Sequence, residues 1–108
     1  MISPNKDPDA GEVGAWVSLV EVRGTTDSVA AVVWVVARAL TQEQFDSFVV
    51  ESMRREGFAV LQHLEVFEAR ALTRHLPFDV PEVLVELAKE PIGMVFLDQF
   101  HYFPLENS

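Results

Sequence analysis

Cysteine is absent from the 108-residue chain, which excludes disulfides, thiolate metal sites and a cysteine nucleophile. Basic residues are scarce: 8 Lys and Arg stand against 17 Asp and Glu, a formal net charge of −9. Arg23, Arg38, Arg54, Arg55, Arg70, Arg74 and Lys89 are scattered, and only Arg54 and Arg55 are adjacent. A phosphate backbone or an anionic bilayer is repelled by such a surface, so neither nucleic acid nor membrane is an expected partner. A basic protein surface is compatible with it, as is acidity that serves solubility alone. Glycine is thin as well. Five residues, isolated at 11, 14, 24, 57 and 93, spell neither G-x-G-x-x-G nor a P-loop, and no serine sits in a G-x-S-x-G elbow. No apolar run reaches the roughly 20 residues of a membrane span. The opening MISPNKDPDAGEVG lacks the basic-then-apolar order of a secretory signal, so a cytoplasmic location is expected.

What the chain does have is apolar residues, 49% of the total against 23% charged. Such a composition folds. At this length it supports one core that buries about two-thirds of the unfolded surface. Residues 1–13 hold two prolines and little that is apolar, and are expected to be a flexible lead-in; residues 14–108 form the domain.

Within the domain, AWVSLVEVR (15–23) alternates, with Trp16, Ser18, Val20 and Val22 on one side and Val17, Leu19, Glu21 and Arg23 on the other. GTTDS (24–28) supplies turn residues and VAAVVWVVARAL (29–40) a second strand, making a β-hairpin. TQEQFDSFVVESMRREG (41–57) carries a capping box in Thr41 and Gln44, apolar residues at helical spacing in Phe45, Phe48, Val49 and Met53, and Gly57 as terminator; it predicts a helix. Its outward face is expected to hold Glu43, Asp46, Glu51, Arg54 and Arg55. FAVLQHLEVFEARAL (58–72) predicts a strand long enough to require a bulge or a break near Glu68–Arg70. Strict alternation there puts Phe58, Val60, Leu64 and Val66 on one side, and Ala59, Leu61, His63, Glu65 and Phe67 on the other. DVPEVLVELAKEP (79–91) predicts a short helix capped by Asp79 and Glu82, and IGMVFLDQFHYFP (92–104) a last strand.

The order is ββαβαβ. It predicts a single two-layer α+β domain, with a four-stranded, mostly antiparallel or mixed sheet and both helices on one face. This order has a general likeness to ferredoxin-like α+β domains, and a likeness of fold implies no function. One difficulty stands out. Residues 29–40 are apolar on both alternating faces, and residues 92–104 nearly so, as in strands covered on two sides. Either the helices lie on opposite faces or a second chain covers the bare one, as a homodimer or as a different protein.

Candidate site residues divide into two sets. Trp16, Trp34, Phe100, Tyr102 and Phe103 are the candidate interface aromatics, the two tryptophans being able to stack across the hairpin. His63, Glu65 and His101 are the candidate polar pocket: the first two share a strand face under strict alternation, and His101 joins them if the two strands pair. No metal ligand set and no cofactor is expected, and HLE at 63–65 is no zinc deaminase motif in a chain without cysteine. Asp98 and Gln62 interrupt apolar faces as edge or satisfied polar positions, and Arg38 closes its strand towards solvent. The expected role is that of a small acidic, non-enzymatic protein-interaction domain that dimerises or binds a protein through an apolar sheet face, in one form as an inhibitor or immunity-type protein against a basic effector. The alternative is a small-molecule-binding domain or enzyme with His63, Glu65 and His101 in a pocket between sheet and helices.

Overall fold

The computed structural model describes residues 13–26, 29–71 and 75–104. The lead-in expected over residues 1–13 lies outside them except for Val13, as do residues 27–28 of the hairpin turn and 72–74 of the later connection. The elements are β1 (Gly14–Gly24), β2 (Val29–Ala39), α1 (Gln42–Arg55), β3 (Phe58–Glu68), α2 (Val80–Leu87), β4 (Val95–Leu97) and β5 (His101–Pro104), with a 3-10 turn at Ala69–Ala71 after β3. The α+β class and the element order agree with expectation. The sheet has five strands instead of four, because the last strand is divided.

All pairings are antiparallel, in the order β3-β1-β2, with β4 and β5 following one another along the far side of β2. Leu97 lies opposite Val35 and His101 opposite Val32, so residues 98–100 face only Val33 and Trp34. That extra residue is a bulge, which breaks the ladder and reverses the alternation. The Asp98 amide still donates to the Trp34 carbonyl at 2.9 Å, holding the break against β2.

The two-layer expectation is corrected. The helices lie on opposite faces. On one face Phe45, Val49 and Met53 of α1 pack on Val20, Val22, Ala31, Val33, Val35 and Ala37. On the other Leu87 of α2 packs on Val17, Trp34 and Val36, joined by Leu19, Phe67 and Phe96. The physical reason is β2 itself, whose two apolar sides each require a cover. Burying a large apolar side chain such as Phe45 contributes about 1.5–3 kcal/mol, and both sets on β2 gain it inside one chain.

Local signals set the helix ends. The Thr41 hydroxyl accepts from the Gln44 amide at 3.1 Å, while the Gln44 side chain accepts from the Leu40 amide at 2.7 Å, a capping box reaching one residue further back than usual. Glu43 sits in the first turn and Arg54 and Arg55 in the last, as the helix dipole favours. Gly57 takes φ +89°, which lets the chain reverse into β3. Asp79 caps α2 by accepting from the Glu82 amide at 3.2 Å.

Edge strand β3 carries two irregularities in its pairing with β1, one between Leu19 and Val20 and one between Glu21 and Val22. Val20 lies opposite His63 but Leu19 opposite Glu65; Glu21 lies opposite Gln62 but Val22 opposite Val60. Leu64 and Leu61 are the extra residues and are 44% and 49% exposed. Strict alternation therefore fails here: Phe58, Val60, His63 and Val66 face α1, and Leu64 does not join them.

Candidate functional site

The bulge at Leu64 separates the residues of the expected polar pocket. His63 lies opposite Val20, on the α1 face, while Glu65 lies opposite Leu19, which belongs to the α2 face. His101 is exposed and pairs with Val32 on the other side of the sheet. β3 and β5 are three strand spacings apart, about 14 Å at about 4.8 Å each. The three side chains do not meet. No group of three or more His, Asp or Glu is gathered as for a metal ion among the described residues.

His63 instead meets partners that the alternating pattern hides. Its Nδ1 is 2.8 Å from the Ser18 hydroxyl, its Nε2 is 3.5 Å from Asp46 Oδ1, and its ring packs against Phe45 at 6.3 Å. Asp46, expected among the solvated residues of α1, turns towards the sheet. Serine, histidine and aspartate in a row invite comparison with a hydrolytic triad, and two observations oppose it. Ser18 is fully buried, so no substrate reaches its oxygen. Its proton is also committed, because the hydroxyl donates to the Glu65 carbonyl at 2.7 Å. His63 Nδ1 must then be the donor to Ser18, whereas a general base needs a lone pair there. The group is a bridge. Ser18 donates to the Glu65 carbonyl beside the bulge, and His63 joins β3 to β1 through Ser18 while its ring packs on Phe45 of α1.

The five candidate interface aromatics are dispersed. Trp16 lies opposite Ala37 and Trp34 opposite Leu19, so the two tryptophans point to different faces and do not stack across the hairpin. Trp16 stacks on Phe45 at 6.4 Å. Trp34 is buried against Phe67 at 6.2 Å. Phe100 stacks on Phe58 at 5.0 Å and on Tyr102 at 5.9 Å, forming an aromatic row at the end of the α1 face. Tyr102, 61% exposed, is its outer member. Phe103 points the other way, opposite Ala30. Gln62 is exposed and donates to the Glu21 carboxylate at 2.6 Å. Arg38 donates to the Glu90 carbonyl in an exposed hydrogen bond, which links the end of β2 to the chain after α2.

An open apolar groove lies on the α2 face. With only eight residues, α2 covers part of that face and leaves beside it a groove of about 550 Å³, floored by Phe78, Val83, Leu87 and Phe96 and flanked by the exposed Met94. Phe78 and Phe96 pack at 5.3 Å, shaping the floor. Asp79, Glu82, Glu86 and Glu90 line the same groove; Glu82 and Glu86, four residues apart, share one side of α2, Asp79 is its N-cap and Glu90 lies in the turn beyond it. Sequence reasoning passed over this site. Its signal is the acidic spacing within DVPEVLVELAKEP, which reads as an ordinary solvated helix face until the sheet is placed beneath it.

No helix among the described residues is long and apolar enough to cross a membrane. Comparison of the chain with family models, with curated proteins and with solved structures gives no match.

Proposed function

We propose that the chain is a non-enzymatic protein-interaction domain that binds a protein partner through the groove α2 leaves open on the second sheet face. The observation that carries this reading is the groove itself, an apolar floor of Phe78, Val83, Leu87 and Phe96 next to the exposed Met94. Apolar concavities with few polar groups are where partners and ligands bind. Both sheet faces carry a helix, so the partner is met in the groove beside α2 and not on a bare sheet. A net charge of −9 accelerates encounter with a basic protein, the form of the role that an inhibitor of a basic effector would take. A pocket built on His63, Glu65 and His101 has no comparable support, since these residues lie on two faces and two edges.

The test is selection of peptides from an unbiased display library on the immobilised protein, followed by affinity measurement on the wild type and on Met94→Glu, a substitution at an exposed position. Enrichment of peptides whose affinity falls at least tenfold in Met94→Glu supports the reading. An empty selection, or peptides that bind both proteins equally, overturns it.

A further inference from the structure

The groove's rim specifies what lies in it. We infer that the occupant is a basic amphipathic segment of another protein, its apolar side chains on the groove floor and its Lys or Arg side chains along the carboxylate row of α2; this rests on the groove reading above. Asp79, Glu82, Glu86 and Glu90 run from the N-cap of α2 to the turn beyond its end, and the two within the helix, Glu82 and Glu86, lie about 6 Å apart along its axis at about 1.5 Å per residue. They oppose cations spaced three or four residues apart on a helix laid against them.

Among the described residues, the chain's own cations engage this row only weakly. Lys89 reaches Glu86 at 3.4 Å with both side chains more than 60% exposed, a geometry that contributes little. Arg38 donates to the backbone carbonyl of Glu90 and not to its carboxylate.

A second observation concerns the helix dipole. α1 obeys it, with Glu43 in the first turn and Arg54 and Arg55 in the last. α2 has no basic residue in its last turn and carries Glu86 there, with Glu90 just beyond, where the dipole disfavours negative charge. The row thus runs against the helix dipole on the helix that borders the groove. Charge also selects among occupants. A second copy of this chain brings another −9, and residues 1–13 hold Asp7, Asp9 and Glu12 against Lys6 alone; the row repels both. Nucleic acid is repelled likewise.

The test uses fluorescence anisotropy with three synthetic amphipathic peptides sharing the same leucines and carrying Lys, Gln or Glu on the polar side. The Lys peptide is expected to bind at least about tenfold tighter than the Gln peptide, and to lose about tenfold in affinity between 50 and 500 mM NaCl. In the double variant Glu82→Gln/Glu86→Gln that preference falls below about threefold, while Glu43→Gln/Glu51→Gln on α1, an equal change in net charge, leaves it intact. Equal, salt-insensitive binding of Lys and Gln peptides overturns the inference and leaves the groove reading standing. Equal losses in the two double variants overturn it in favour of unspecific attraction. Failure of every peptide to bind removes both.

Discussion

Ser18 is fully buried in the middle of β1, among valines, and its hydroxyl is satisfied on both sides: it donates to the Glu65 carbonyl and accepts from His63. Ser18→Ala removes one small polar atom and with it the hydrogen bonds to the Glu65 carbonyl and to the His63 imidazole. The expected loss is about 1–3 kcal/mol, for two part-buried hydrogen bonds, read as a lower midpoint in urea unfolding at unchanged slope. A wild-type midpoint would mean that Ser18 is a passive small residue. Nothing in AWVSLVEVR announces this role. A serine in an alternating strand reads as a tolerated small side chain, and its importance exists only once the bulge on the neighbouring strand is known. Likewise His63 and Asp46 are seventeen residues apart in the chain, and no spacing rule joins a strand histidine to a helix carboxylate.

The elements were legible where the governing interactions are local. Thr41 with Gln44, Asp79 with Glu82, and Gly57 after α1 mark helix ends through contacts a few residues long, and both helices stand where those signals place them. β3 was legible in existence but not in phase, because a bulge is decided by the strand opposite. This yields a sharp contrast. Strict alternation makes Leu64 a core residue beside Val60 and Val66, so that Leu64→Lys would cost several kcal/mol. As the exposed extra residue of a bulge, Leu64 should accept lysine within about 0.5 kcal/mol. Urea unfolding of Leu64→Lys beside Val66→Lys, which introduces the same charge on the α1 face, decides between the two. The same blindness to phase hid the division of β4 from β5, although Asp98 and Gln99 in an otherwise apolar run mark its place.

At the scale of the whole molecule, β2 posed the central question and answers it. A strand apolar on both faces demands two covers, and the chain supplies both, α1 fully and α2 in part. The two-sided pattern was visible in the sequence; which of the possible covers met it was not, since periodicity says that a face is buried and not by what. The part left over is the groove, and its acidic rim sets up a trade between stability and binding. Glu86→Lys places a cation at the C-terminal turn of α2, where the dipole favours it, and should raise stability by roughly 0.3–1 kcal/mol at low ionic strength, seen as a higher melting temperature. The same change should weaken binding of the lysine-rich peptide. A variant that melts lower would show that Glu86 serves the fold itself.

The interrupted edge strands have a consequence for how this chain behaves in a crowd. β3 is broken twice and β4 is divided from β5, so no regular ladder on either outer row exceeds four residues. Fibril growth by strand addition feeds on straight segments of about six or seven residues. A neighbouring copy that approaches either edge finds its hydrogen-bonding frame out of step after one or two pairs. In a protein that is 49% hydrophobic, the irregularities that most obscured the sequence are also those that make the two edges of the sheet poor templates for strand addition.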